Sequence, residues 1–197
     1  MNRDPKPTNE LGHEDLMALR KEYAHAALDR SHVQADALQQ FQAWFQDAQN
    51  SQVPEPNAMH LATADPHGMP SGRMVLLKGV QDGGFRFYTN YQSRKGHELM
   101  ANPHAALTFW WEALERQVRI EGQIEQLSQA ESEAYFHSRP RDSQLGAWAS
   151  PQSQVVPDRE ALERIFADKR AEFEGQEALP LPPHWRGFVL FPQVVEF

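Results

Sequence analysis

From residue 59 to residue 127 the chain is a succession of short strand-like runs cut by turn signals. MHLATAD (59–65), GRMVLLKGV (72–80), FRFYTN (85–90), HAALTFWWEA (104–113) and RQVRIEGQIEQL (116–127) carry the β-branched, aromatic and alternating residues of sheet. The separators are as short as PHG and QDGG, and Asp82-Gly83 is a strong hairpin signal. Connections this short join antiparallel neighbours, because a parallel crossover needs a dozen or more residues. In the last run Val118, Ile120 and Gly122 share one face with Arg116, while Gln117, Arg119 and Glu121 share the other.

Helical periods flank this core. One helix is expected from about His13 to Arg30, with Leu16, Leu19 and Tyr23 on one side. A second runs from Asp36 to Asn50, with Leu38, Phe41, Trp44, Phe45 and Ala48 in a stripe, and SQVPEPNA ends it. Ser93 caps a short helix from Arg94 that stops near Asn102-Pro103. Ser128 and Glu131 form a capping box for a helix through His137. SRPRDSQLGAWASPQSQ then reads as a Pro-interrupted loop. A helix from Pro157 or Asp158 to Glu174 follows, with Leu162, Ile165, Phe166 and Phe173 inward. ALPLPPHW reads as an extended linker, and RGFVLF and QVVEF as the last strands.

The expected architecture is mainly β (α+β): an antiparallel sheet closed as a barrel, with flanking helices. The 197 residues suit one domain, with 1–12 as a loose polar arm.

Composition removes several chemistries. There is no cysteine, so disulfides, thiolate metal sites and a Cys nucleophile are excluded; this is compatible with a cytoplasmic protein. Net charge is −8, which disfavours non-specific nucleic-acid binding. No apolar run is long enough for a membrane helix, and the N-terminus has no signal core. Neither His13-Glu14 nor His97-Glu98 is followed by a second His at zincin spacing, so no metal is expected. Walker A, G-x-S-x-G and G-x-G-x-x-G are absent.

What remains is a set of cations and hydroxyls at strand and helix ends. Arg73 and Lys78 bracket an apolar run; as one strand they would project to opposite faces, about 17 Å apart. Arg94 and Lys95 start a helix, where cations oppose the dipole unless an anion binds the same end. Tyr135 and Arg139 are four apart, Pro140 forces Arg139 towards an extended backbone, and Ser143 follows. A phenol, a guanidinium and a hydroxyl together suit a phosphate ester, or the cation simply caps a helix C-terminus.

GRMVLLKG, FYTNYQSRKGHEL, ERQVRIEG and YFHSRPRDSQLGAWASPQS, in this order, closely resemble the pyridoxine (pyridoxamine) 5′-phosphate oxidase family, as does RKEY at 20–23. The resemblance implies a split β-barrel homodimer with FMN at the subunit interface. It implies oxidation of pyridoxine or pyridoxamine 5′-phosphate to pyridoxal 5′-phosphate, with oxygen reduced to hydrogen peroxide. Carried over by motif, flavin contacts fall on Arg73, Met74, Val75, Leu76, Leu77, Lys78, Tyr88, Thr89, Arg94, Lys95, Gln117, Gln152 and Ser153. Substrate contacts fall on Lys78, Tyr135, Arg139 and Ser143, with Arg20, Lys21, Glu22 and Tyr23 as a covering segment. The cations of the GRMVLLKG run would then serve two phosphoesters, one on each ligand.

The chain ends at VVEF, whereas the family's strand continues with a Trp and an Arg-x-His-Asp-Arg segment that touch flavin and substrate. An open sheet edge is expected there. Two other readings use the same residues: a flavin oxidase acting on a phenazine precursor, and a non-catalytic flavin or pyridoxal-phosphate binder.

Overall fold

Asp36 keeps an extended backbone and its carboxylate accepts from the Gln39 backbone N–H, which starts helix α1, Ala37–Asn50. The computed structural model describes residues 29, 31 and 33–197, and residues 33–197 form one compact unit. The helix expected over 13–30, the arm, and Arg20–Tyr23 lie outside the described residues.

After α1 come β1 (Ala58–Ala64), β2 (Pro70–Leu76), β3 (Gly79–Gln81) and β4 (Gly84–Asn90). Helix α2 (Arg94–Ala101) leads into β5 (His104–Trp111) and β6 (Arg116–Gln126). Helices α3 (Gln129–Ser138), α4 (Arg141–Ala149) and α5 (Arg159–Glu172) precede β7 (Trp185–Glu196). All seven strands form one sheet in the order β2-β1-β5-β6-β7-β4-β3, and every pairing is antiparallel.

The two edge strands of that sheet, β2 and β3, are separated in the chain only by Leu77 and Lys78. A sheet whose edges are joined by two residues must curl until they meet, so the barrel follows from connectivity. The Leu77 N–H continues the β1 ladder by donating to the Asn57 carbonyl, and the Lys78 N–H donates to the Arg86 carbonyl on β4. GRMVLLKGV is therefore not one strand. It changes partners at the Leu77–Lys78 bond, and the alternation that set Arg73 and Lys78 on opposite faces does not run through it.

Inside the curl lie Met59, Leu61, Phe85, Phe87, Leu107, Phe109, Val118, Ile120, Phe188 and Leu190, all essentially inaccessible. Helix α1 closes this core with Phe41, whose ring meets Phe85 edge-on at 5.0 Å and Phe109 at 5.1 Å. A second apolar cluster, Phe136, Leu145, Phe173, Leu179 and Trp185, ties α3 and α4 to the start of β7.

Three local expectations are corrected. SRPRDSQLGAWASPQSQ is not a loop, because Pro140 and Pro151 bracket helix α4 rather than interrupt it. Pro140 is the N-cap, where no N–H is required, and Leu145, Ala147 and Ala149 are buried. In α5 no residue is fully buried; Leu162, Ile165 and Phe166 are half-buried, and only Phe173, just past its end, is inside. RGFVLF and QVVEF are one strand. Its register with β6 passes from Glu121–Val194 to Gly122–Pro192, so Gln193 is the extra residue of a bulge that accommodates the proline. Gly122 is required there, since a Cβ would stand 2.0 Å from the Phe191 carbonyl oxygen. β7 is an internal strand, but beyond Leu190 it pairs only on the β6 side.

Candidate active site

The β2–β3 partner switch, the end of β4, the first turn of α2, the end of α3, one side of α4 and the first residue of β7 enclose a cleft of about 620 Å³. That size suits small-molecule recognition. Among the described residues Lys78, Lys95 and Arg139 line it, and no Asp or Glu does.

Lys95 is the most constrained of the three. Ser93 accepts from the Gly96 N–H and starts α2, which turns Lys95 inward. Its side chain is 7% exposed, and its Nζ donates to Gln152 Oε1 at 2.7 Å, Thr89 Oγ1 at 3.2 Å and Ser93 Oγ at 3.3 Å. All three partners are neutral. Burial, then the nearby charge of Arg73, holds its pKa down to about 8.

Arg139 sits past the end of α3 with an extended backbone, as Pro140 demands. Burial lowers its pKa, partly offset by Tyr135. Its guanidinium lies over the Trp185 ring at 4.7 Å, and its buried Nη1 has no hydrogen-bond partner. Tyr88 and Tyr135 stack beside it, 4.0 Å apart at 19°. Burial raises the Tyr88 pKa against the opposing charge of Arg86. Ser143, in the first turn of α4, faces the same space.

Of the residues singled out from the sequence, Met74, Val75, Leu76, Lys78, Tyr88, Thr89, Lys95, Tyr135, Arg139, Ser143 and Gln152 all line this cleft. Five others do not. Leu77 is turned into the core. Arg73 bonds back to the Leu61 carbonyl, Thr63 and Ser71 and pairs with Glu98 at 3.3 Å. Arg94 is exposed and pairs with Glu98 at 2.8 Å. Thus the two cations at the start of α2 have separate fates: one is neutralised by its i+4 carboxylate, the other buried among neutral oxygens. Gln117 is exposed on β6 opposite Trp110, and Ser153 is exposed with a φ of 65°.

Trp185 and Glu98 are the residues that sequence reasoning missed. Glu98 had a signal, its i+4 spacing from Arg94; Trp185 had none, because its neighbours come from α3, β4 and the α3–α4 junction. Burial pushes the Glu98 carboxyl up, but donors from Ser71, Thr63, Arg94 and Arg73 outweigh it and hold it at about 2. A lowered carboxyl contributes stability above its ordinary 4.5 and loses it as pH falls towards 2. Glu98→Gln should cost about 2 kcal/mol at neutral pH. Melting curves should show the gap to the unsubstituted protein closing below pH 4.5; a gap constant with pH would refute this role.

Among the described residues, no group of three His, Cys, Asp or Glu could hold a metal ion, and no helix is long and apolar enough to cross a membrane.

Residues 45–171 match the family profile described as pyridoxamine 5′-phosphate oxidase. A protein of Salinibacter ruber named pyridoxine/pyridoxamine 5′-phosphate oxidase is 56% identical over 182 residues, 92% of this chain and 85% of that protein. One of the same name from Synechocystis is 53% identical over the same shares. Among solved structures, PhzG from Burkholderia lata, in complex with tetrahydrophenazine-1-carboxylic acid, superposes with a TM-score of 0.81 at 30% identity, covering 87% of this chain and 85% of that one. A pyridoxamine 5′-phosphate oxidase-related, FMN-binding protein from Nostoc punctiforme shares the fold, with a TM-score of 0.65 at 19% identity over 83% and 84% of the two chains. With the profile spanning well over half its length and relatives above half identical, this chain belongs to the pyridoxamine 5′-phosphate oxidase family.

Proposed function

We propose that the protein oxidises pyridoxine 5′-phosphate or pyridoxamine 5′-phosphate to pyridoxal 5′-phosphate, in the cytoplasm, with FMN as cofactor and oxygen as final acceptor. Oxygen becomes hydrogen peroxide; from the amine, water is also consumed and ammonia released. The observation that carries this reading is a cleft that, among the described residues, has three cations and no carboxylate, two of those cations being buried or half-buried without an anionic partner there. Burying such charged groups is costly, and a bound anion would offset that cost.

The residues fit two phosphoesters. Lys95, Thr89 and Gln152 would hold the FMN phosphate, with Met74, Val75 and Leu76 along the cofactor. Lys78, Tyr135, Arg139 and Ser143 would grip the substrate phosphate. Arg73, Leu77, Arg94 and Ser153 keep their proposed place around the flavin, and Arg20 to Tyr23 that of a cover. When bound, FMN supplies a two-electron acceptor for the hydride of the substrate carbon. The chain's own part is orientation: a phosphate fixed at one end of the substrate presents the other end to the cofactor.

The likeness to PhzG favours a second reading, an anionic phenazine precursor in the same cleft. One experiment separates them. The FMN-saturated protein is mixed anaerobically with pyridoxine 5′-phosphate and the flavin absorbance followed. Bleaching that reverses on admitting oxygen supports the oxidase. Persistent colour with both ligands bound leaves a binding protein, and bleaching only by a dihydrophenazine carboxylate moves the function to the second reading.

A homodimer is part of the proposal. Met74 (63% exposed) and Leu76 on β2, Trp110 (50%) on β5 and Val194 on β7 are exposed apolar side chains on alternate strands of the sheet, and Met74 and Leu76 also line the cleft. Gln117, opposite Trp110, is three strands from β2, a position from which it would serve a partner's cleft. Trp110→Asp should weaken dimerisation on the order of 100-fold in sedimentation experiments. An FMN-loaded protein that is monomeric without substitution would sink this part.

A further inference from the structure

Arg139 is held in an unusual way. No carboxylate pairs with its guanidinium among the described residues, although a buried arginine ordinarily has one. Its Cζ lies over the indole ring of Trp185 at 4.7 Å, with the Phe136 ring at 6.0 Å. A carboxylate would occupy the planar fork of donors; a ring beneath the plane supports the cation and leaves the fork unused. The buried, unpartnered Nη1 is what such an arrangement leaves.

Trp185 is itself fixed. As the first residue of β7 it pairs with Asn90, and its N–H donates to the Pro182 carbonyl at 3.1 Å. Its ring lies nearly parallel to Tyr88 (5.4 Å, 10°) and to Tyr135 (6.1 Å, 9°), while Phe136 abuts it at 63°. One indole thus lies beneath the guanidinium carbon and nearly parallel to the two phenols beside it. It is 7% exposed, and it lines the cleft.

We propose that Trp185 is the positioning residue of the substrate-phosphate site: it supports Arg139 by its ring face and keeps the guanidinium fork free for phosphate. This rests on the reading that Arg139 receives the substrate phosphate.

The test uses the FMN-loaded protein, Trp185→Leu and Trp185→Phe, each alone and with Arg139→Ala. Steady-state kinetics with pyridoxine 5′-phosphate are measured beside calorimetric binding of pyridoxal 5′-phosphate. Trp185→Leu should raise KM and the pyridoxal 5′-phosphate Kd about tenfold, with the loss in KM rather than kcat, and Trp185→Phe should recover most of it. In the Arg139→Ala background the leucine substitution should add nothing. Additive effects, or an unchanged Kd in Trp185→Leu, would overturn the inference. If the leucine variant does not fold, Trp185→Phe carries the same comparison, with a Kd rise of about threefold that vanishes beside Arg139→Ala. A native protein that binds no pyridoxal 5′-phosphate refutes the functional reading instead.

Discussion

Replacing Arg139 by alanine is expected to raise KM for pyridoxine 5′-phosphate on the order of 100-fold, which corresponds to about 3 kcal/mol of lost binding. The guanidinium is half-buried and, among the described residues, lacks a carboxylate and keeps an unpaired Nη1. Its contribution to a bound phosphate is not diluted by a competing internal pair. Lys78 is exposed by comparison, and Tyr135 and Ser143 are neutral donors, so none replaces it. The phosphate is remote from the reacting carbon, so the loss should fall mainly on KM. Pyridoxine lacking the phosphate is the control: the advantage of the phosphorylated substrate should nearly disappear in the variant. Unchanged kinetics would remove Arg139 from the site.

Lys95→Met should weaken FMN binding by a similar factor, on the order of 100-fold, and should abolish a pH dependence that the unsubstituted protein shows. Burial holds Lys95 at about 8 instead of 10.5. Between those values the unfolded chain carries a proton that the folded chain has released. The ligand-free protein should therefore gain stability as pH rises through that window, the reverse of a lysine stabilised by an ion pair. Binding a phosphate needs the charged form, so FMN affinity should fall as pH rises past about 8. Riboflavin, which has no phosphate, should show no such fall. Fluorescence titrations of both flavins across this range decide it, and a flat FMN profile would refute the assignment.

The strand runs, the hairpin at Asp82-Gly83, the helix over 36–50, the caps at Ser93 and Ser128, and the extended backbone at Arg139 were all legible in the sequence. Each depends on residues a few positions apart, where backbone geometry and local hydrogen bonding decide the outcome. Helix α4 was not legible, because two prolines that bound a helix look the same in sequence as two that break one. Its Leu145 and Ala147 are helical because α3, the 173–181 segment and β7 bury them. The continuity of β7 through Pro192 was hidden for a similar reason: only pairing with β6 reveals the bulge that absorbs it.

The sequence by itself determined which residue types could meet a phosphate and, by family resemblance, which segments would carry them. It also determined that the sheet is antiparallel, through its short connections. The tertiary structure decided which cations face the cleft. Lys95 enters it and Arg94, its neighbour, does not, because Glu98 claims Arg94 and Arg73 together. Lys78 enters it because β2 and β3 exchange partner strands between Leu77 and Lys78, which only the closure of the barrel enforces. Trp185 reaches Arg139 from β7, forty-six positions along, a distance at which no local pattern operates. Charge placement depends on partners brought together by long-range pairing, so composition and spacing name the candidates while packing selects among them.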